Sequence, residues 1–273
     1  MTPSPDLLSK PISIISIHFN HCEGLKRTAE SILAQTKRSL VEWVVIDGCS
    51  SDGSVEFLQG LGKSIDHLVI EPDKGIYDAM NKGLNLCSGE YVWFMNAGDI
   101  IHGHDVVEKI MDGIDTYVKQ GKARPDVIFG DTQFVNQDGS RGGLISQCKP
   151  QPFPHTLDGN SFRFGMNICH QSFLAKRFLC DAFDLQYKQA SDIDWIIRIL
   201  KKMQGESCRV NFVISDFELG GSSTEHTRKA WKERYLVLQR QYGVLPNFLA
   251  HGWILIRRLL FYGHLLGKKQ YIF

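Results

Sequence analysis

A chain of 273 residues that is 43% hydrophobic and 22% charged, with a net charge of +1, has the make-up of an ordinary globular protein; disordered, collagen-like and repeat-array classes are excluded. Its seven cysteines are odd in number and form no CxxC pair, which excludes a zinc ribbon and a disulfide framework. The opening MTPSPDLLSK lacks the basic and apolar regions of a signal peptide, so a reducing, cytoplasmic setting is expected.

In chain order, PISIISIHFN (Pro11–Asn20) reads as a first apolar strand, and GLKRTAESILAQT as a helix with Leu25, Ala29, Ile32 and Leu33 at helical spacing. VEWVVIDG is a second strand, closed by Asp47-Gly48; Ser50, Ser51 and Asp52 are placed to cap a short helix carrying Phe57, Leu58 and Leu61. DHLVIEP is a third strand. GIYDAMNKGLNL puts Ile76, Ala79, Met80, Gly83 and Leu84 on one helical face, and YVWFMNAGD is a fourth strand that stops at Asp99. The strands are apolar throughout, as when helices cover both faces of a parallel sheet, so the fold class is α/β. Ligands of such sheets bind beyond the carboxyl ends of the strands, which here carry Asn20, Asp47, Asp73 and Asp99.

Further on, HDVVEKIMDGIDTYVK is a helix and DVIFGDT a strand, and the Gly- and Pro-rich stretch 133–165 should hold loops and short strands. SDIDWIIRILKKM reads as a capped helix with Trp195, Ile196, Ile199, Leu200 and Met203 inward, and CRVNFVISDFEL as a last strand before Gly220-Gly221-Ser222-Ser223. With no linker between Pro11 and Glu225, the expected division is an N-terminal tail 1–10, one domain 11–225 and a tail 226–273.

Carboxylates gathered at one sheet edge repel each other unless a cation lies among them, and a hard divalent ion held by one or two carboxylates plus substrate phosphates is the usual solution. Neither GxxxxGK nor a GxGxxG after the first strand is present, which disfavours a P-loop and a standard dinucleotide fold. The plainer reading is that Asp47 and Asp99 only cap helices. Asp192 and Asp194 open a helix, where the dipole alone explains a carboxylate and where a general base would also be well aimed; the residues leave both open. His170-Gln171 is a weaker signal, since a lone His after an apolar segment is more often a satisfied structural residue.

Taken together, ISIISIHFN, WVVIDGCSSDGS, EPDKGIYDAMNKG, WFMNAGD, HQSF, YKQASDIDW and GGSS resemble the inverting family-2 glycosyltransferases of GT-A fold, and more narrowly the bacterial colanic-acid and exopolysaccharide enzymes; the match runs from Ile12 to Ser223. The resemblance implies a nucleotide-sugar donor, a saccharide acceptor that is often lipid-linked, and a divalent metal, Mn²⁺ or Mg²⁺. It places His18 and Phe19 against the base, Asp47 on the base or ribose, Asp73 and Gly75 at the nucleotide turn, and Asp99 on the metal. It makes Asp192 the general base and sets His170 and Gln171 on the acceptor side. Three departures stand out. Asn96 and Gly98 occupy the other acidic positions of the metal motif; Met80 replaces a frequent Arg, leaving Lys82 or Lys74 to supply a cation; and Ser191 replaces a Glu. A nucleotidyltransferase, and an inert relative that only binds, are the rival readings.

The tail lies outside these motifs. From His226 to Phe273 there are nine Lys or Arg and one acidic residue, about +8, against 22 basic and 29 acidic residues in the remainder, about −7. Phe248, Leu249, Gly252, Trp253, Ile256, Leu259 and Leu260 share one face of NFLAHGWILIRRLLFYGHLLGKK, which Arg257 and Arg258 make too charged for a transmembrane span. A basic helix with such a face suits an anionic membrane surface, so a peripheral location on the inner face of the plasma membrane is expected; docking on the domain or on a second subunit is the alternative. No nucleic-acid partner is expected.

Overall fold

The structure, a computed structural model, describes residues 10–136, 138–165, 168–220 and 227–265. All but Lys10 of the expected N-terminal tail, Asn167, Gly221 to Ser223 of the GGSS motif, and the last eight residues of the basic tail lie outside the described residues.

The strands are β1 (Ile12–His18), β2 (Val41–Asp47), β3 (His67–Ile70), β4 (Tyr91–Phe94), β5 (Ile100–Ile101), β6 (Val127–Val135), β7 (Arg141–Leu144), β8 (Phe173–Lys176) and β9 (Ser207–Glu218). The helices are α1 (Cys22–Leu33), α2 (Ser54–Leu61), α3 (Ile76–Leu86), α4 (Val106–Lys119), α5 (Ile145–Cys148), α6 (Ser191–Lys202), α7 (Thr227–Tyr242) and α8 (Val244–Leu265). One sheet runs β3-β2-β1-β4-β8-β6-β9-β5, with β7 on β6. The first four strands pair with one another only in parallel, as the unbroken apolar runs predict. Beyond β4 the sheet is mixed: β8 is antiparallel to both β4 and β6, while β9 is parallel to β6. This antiparallel insertion was not expected, because the Phe173–Lys176 segment is short and gains its pairing from neighbours distant in sequence.

Side chains alternate across the sheet, and both faces are covered. Ile15, Ile17, Val44, Ile46, Val92 and Phe94 meet Tyr77 and Met80 of α3 and Trp195 and Ile196 of α6. Ile12, Ile14, Trp43, Val45 and Trp93 meet Leu25, Ala29 and Ile32 of α1 and Val107 and Ile110 of α4. Each such buried side chain contributes about 1.5–3 kcal/mol, which fixes strand register and with it the level at which the strands end. α7 joins the same core through Val237 and Leu238. Its Glu233 Oε2 accepts the backbone N–H groups of Lys188 and Gln189 at 2.8 and 2.7 Å.

The expected cap of α2 is made by Asp52, whose Oδ1 accepts the N–H of Ser54, the first residue of the helix, at 3.2 Å; Ser50 and Ser51 instead stitch the ends of β1 and β2 together. The cap expected of α6 is not made. The Ser191 hydroxyl donates to the Asp184 carbonyl at 2.8 Å and does not cap α6.

Candidate active site

β1 and β2 end side by side, with His18 in register with Asp47. Both side chains are buried; His18 Nε2 bonds the Ser54 hydroxyl at 2.6 Å and lies 3.6 Å from Asp47 Oδ2. Burial holds the His18 imidazole below its ordinary range, although the Asp47 and Asp52 carboxylates pull the other way. His18 Nδ1 and Asp47 Oδ2 have no hydrogen-bond partner among the described residues, a costly condition for buried polar atoms. Asp47 caps no helix: its Oδ1 accepts the Ser50 N–H at 2.7 Å.

Phe19, the next residue, is 61% exposed. A Cβ added at Gly48 would come within 2.6 Å of Asp73 Oδ2 and 3.1 Å of Phe19 Cδ2, so a larger residue there would push those two side chains back from the strand end. Asn20 and Cys49 hold positive φ there (48° and 67°), with the Asn20 N–H on Ser50 Oγ at 2.9 Å and the Ser51 N–H on Asn20 Oδ1 at 2.8 Å. Asp73 Oδ1 accepts the N–H of Gly75, whose φ of 117° favours glycine, at 2.8 Å. The structure thus gathers His18, Phe19, Asp47 and Asp73 at one corner of the sheet. The Lys82 ammonium bonds the Pro72 carbonyl at 2.7 Å and Glu71 at 2.9 Å, with the Asp73 carboxylate near enough to act on it. Met80 is buried in the core.

Asp99 sits in a turn that α1 clamps. Thr28 Oγ1 donates to the Asp99 carbonyl at 2.7 Å and accepts the Gly98 N–H at 3.0 Å. The next helix begins only at Val106, so Asp99 caps nothing. Its carboxylate accepts the Asn96 N–H at 3.2 Å and the Gln171 amide at 3.2 and 3.3 Å. Burial nevertheless pushes its carboxyl up to about 6.

His170 lies between the two acidic groups. Its Nε2 is 3.4 Å from Asn96 Nδ2 and its Nδ1 is 3.5 Å from Asp192 Oδ2. Burial lowers the affinity of His170 for a proton, but the Asp192 and Asp99 carboxylates outweigh it and the imidazole ends above its ordinary range. For Asp192, burial would raise the carboxyl; His170 and Arg234 outweigh it and hold the carboxyl below its ordinary value. The Tyr77 hydroxyl donates to Asp192 Oδ1 at 3.1 Å. Tyr77 is aimed by its ring, stacked on Phe183, which in turn stacks on Trp195. Asp194 points the other way, onto Arg198 Nε at 2.7 Å and Gln241 Nε2 at 2.8 Å. The two carboxylates left open by the sequence therefore have different surroundings.

Asp99, His170, Gln171 and Asp192 line one cavity of about 650 Å³. The tail lines the same cavity, through Trp231 and Arg234 of α7 and His251, Arg257 and Arg258 of α8. Docking of the tail on the domain was the alternative reading of its apolar face, but nothing in the chain pointed to this cavity, because residues on a helix announce their shared face but not the surface it meets. Tyr77 was also missed, although it lies inside the EPDKGIYDAMNKG stretch.

Among the described residues no three His, Cys, Asp or Glu side chains are grouped closely enough to hold a metal ion by themselves. A fit remains through oxygen donors: the Asp99 carboxylate, and beside it Asn96 Oδ1, which is buried and has no hydrogen-bond partner among the described residues. Two hard oxygens suit a divalent ion that completes its shell with phosphate and water.

A family model described as Glycosyl transferase family 2 matches residues 13–181. An uncharacterized glycosyltransferase of Mycobacterium tuberculosis is 30% identical over 252 residues, 89% of each chain. The Escherichia coli UDP-Glc:alpha-D-GlcNAc-diphosphoundecaprenol beta-1,3-glucosyltransferase WfgD is 24% identical over 263 residues, 96% of this chain and 95% of that one. Among solved structures, S. aureus TarS superposes with a TM-score of 0.62 at 15% identity, over 91% of this chain and 43% of that one; its 1-349 form in complex with UDP-GlcNAc gives 0.64 at 16%, over 84% and 65%. Mannosyltransferase PcManGT from Pyrobaculum calidifontis, in complex with GDP-Man and Mn²⁺, gives 0.58 at 16% identity, over 98% and 79%. These structural likenesses show a shared fold.

Proposed function

The chain belongs to glycosyl transferase family 2, and on that premise we propose that it moves a sugar from a nucleoside-diphosphate sugar to a hydroxyl of a lipid-linked saccharide in surface polysaccharide or glycolipid synthesis, with inversion at the anomeric carbon. Residues 11–225 form the catalytic unit in this reading, and 226–273 meet the acceptor and the membrane. The observation that carries it is the joining of two carboxylates at one cavity: Asp99 is bonded to Gln171, and Asp192 lies against the adjacent His170.

The donor base lies at the corner of His18, Phe19, Asp47 and Asp73, with Gly75 holding the turn. The orphaned His18 Nδ1 and Asp47 Oδ2 supply polar contacts, and the exposed Phe19 ring supplies a stacking surface. Asp99 and Asn96 hold a divalent ion, Mn²⁺ or Mg²⁺, that when bound neutralises the departing nucleoside diphosphate. Asp192 is ionised at neutral pH and takes the proton of the acceptor hydroxyl as that oxygen attacks the anomeric carbon. Tyr77 and His170 fix the orientation of its two oxygens. A single displacement through an oxocarbenium-like state inverts the centre.

Support for a lipid-linked acceptor is of two kinds. The name of the E. coli relative specifies a diphosphoundecaprenol acceptor. The other is α8, which is turned inside out: Leu245, Phe248, Leu249, Trp253, Leu255, Ile256, Leu259 and Leu260 are 50–68% exposed. No helix among the described residues is long and apolar enough to cross a membrane. An exposed apolar face beside basic residues suits the membrane interface, where each basic side chain adds about 1 kcal/mol at an anionic surface.

The test is nucleoside diphosphate release with a panel of donor sugars, lipid-linked saccharides and Mn²⁺ or Mg²⁺, beside sedimentation with anionic vesicles. No release and no binding of any nucleoside diphosphate would sink the enzyme reading. A dimer in solution that ignores vesicles would give the α8 face to a second copy.

A further inference from the structure

The cavity is lined by charges of both signs. Asp99, Asp192 and Glu218 bring carboxylates, Lys149 and Lys188 bring ammonium groups, and the tail helices bring Arg234, Arg257 and Arg258. None of these three arginines pairs with a carboxylate of a described residue within 4.0 Å. Arg257 Nη2 donates to the Phe164 carbonyl at 2.6 Å, and the Arg258 guanidinium lies 4.5 Å from the Trp231 ring centroid. The Nε atoms of Arg234 and Arg257 are buried without a hydrogen-bond partner among the described residues. Burial disfavours the charge on Arg257, yet a guanidinium does not give up its proton in a protein. Three guanidinium groups lining one cavity, none in a close ion pair with a described residue, are a site for an anion, and forked N–H donors suit phosphate oxygens.

We propose that Arg234, Arg257 and Arg258 seat the phosphate or diphosphate that joins the acceptor saccharide to its lipid. This rests on the glycosyltransferase reading above and adds the part of the acceptor that is recognised. The donor's diphosphate belongs on the sheet side, at Asn96 and Asp99, where oxygen donors wait for a cation. The arginines come from the tail helices, with Arg234 near enough to Asp192, the base of the proposed reaction, to favour its ionised form. Arg257 and Arg258 are also flanked by Ile256, Leu259 and Leu260 of the outward face. At about 1.5 Å of rise per residue, a phosphate at the arginines lies within one helical turn of side chains able to meet the lipid. One helix would thus read both halves of an amphiphile.

The experiment is calorimetric titration of the full chain with farnesyl diphosphate, with farnesol, with a short-chain phosphatidylglycerol, and with UDP and GDP plus Mn²⁺. Farnesyl diphosphate should bind the wild type at least about tenfold more tightly than farnesol or the phospholipid. Arg257→Gln with Arg258→Gln should cost about tenfold or more in farnesyl diphosphate affinity and leave nucleoside diphosphate binding within about twofold. Arg257→Lys, which keeps the charge and loses the fork, should fall between, and it carries the test if the double variant does not fold. Equal losses for both diphosphates would assign the arginines to the donor. Farnesol binding as well as the diphosphate would show that no phosphate is read, and phosphatidylglycerol binding as well would show a headgroup site; each overturns the proposal. Failure of every nucleoside diphosphate to bind the wild type would overturn the enzyme reading on which it stands.

Discussion

Glu42 and Asp99 are both buried carboxyls at the ends of one sheet, and they are treated in opposite ways. At the amino edge, Glu42 accepts hydrogen bonds from the Ser13 and Ser88 hydroxyls at 2.5 and 2.7 Å and from the Ser88 N–H at 2.7 Å. Burial alone would raise its carboxyl, but these bonds outweigh burial and hold it below its ordinary value. At the carboxyl edge, Asp99 receives longer bonds from Gln171 and Asn96, and burial wins, lifting it to about 6. His18 Nδ1, Asp47 Oδ2 and Asn96 Oδ1 at the same edge are unpartnered among the described residues. One edge is built to satisfy its charge from within, and the other keeps bonding capacity for something that arrives.

The contrast can be broken most forcefully at the cavity. Asp192→Asn should lower turnover by about 10²- to 10⁴-fold while donor binding persists, because only proton transfer is removed. Asp194→Asn should instead reduce stability, since Asp194 is held by Arg198 and Gln241. If turnover depends on Asp194 and not on Asp192, the assignment of roles is reversed.

The next largest effect concerns Asp99 itself. A folded-state value raised from 3.8 to about 6 means that ionisation opposes folding. The favourable contribution is complete below about pH 4 and is lost as pH rises through about 6, a difference of about 3 kcal/mol at pH 7. Asp99→Asn, free of metal, should therefore be more stable than the wild type at pH 7 by up to that amount, with the gain gone by pH 4. Mn²⁺ should no longer strengthen its nucleoside diphosphate binding. Urea unfolding at several pH values checks the first expectation, and an unchanged pH profile would mean that Asp99 is as well satisfied as Glu42.

Glu42 should show the reverse sign. Its depressed carboxyl contributes stability above about pH 4.5 that is lost as pH falls through its lower folded value. Glu42→Gln should cost about 1–3 kcal/mol at pH 7, with a shrinking penalty on acidification and no loss of turnover per folded molecule. A turnover defect in folded Glu42→Gln would erase the distinction between the edges. The smallest effect is expected at Tyr77→Phe, which removes one hydrogen bond to Asp192. Loss of about 1 kcal/mol of orientation corresponds to a roughly fivefold drop in kcat with KM little changed.

Much of this arrangement follows from the chain's local pattern. The apolar runs ending at Asp47 and Asp99 announce buried strands with acids at their mouths, and the 3.6-residue spacing in SDIDWIIRILKKM announces a helix whose Trp195, Ile196, Ile199 and Leu200 are indeed buried. The apolar face of the tail helix is equally visible from Phe248 to Leu260. Periodicity identifies a face but says nothing about what that face meets. Only the tertiary structure turns α8 with its arginines toward the cavity and its leucines outward, sends Asp192 to Tyr77 and His170 while Asp194 goes to Arg198, and ties Lys82 to Glu71. Only it inserts β8 antiparallel between β4 and β6, setting His170 and Gln171, which immediately precede β8, beside Asn96 and Asp99. The reason is physical: burial and spacing act between near neighbours in the chain, whereas a site is made by side chains far apart in sequence whose meeting depends on how the elements pack.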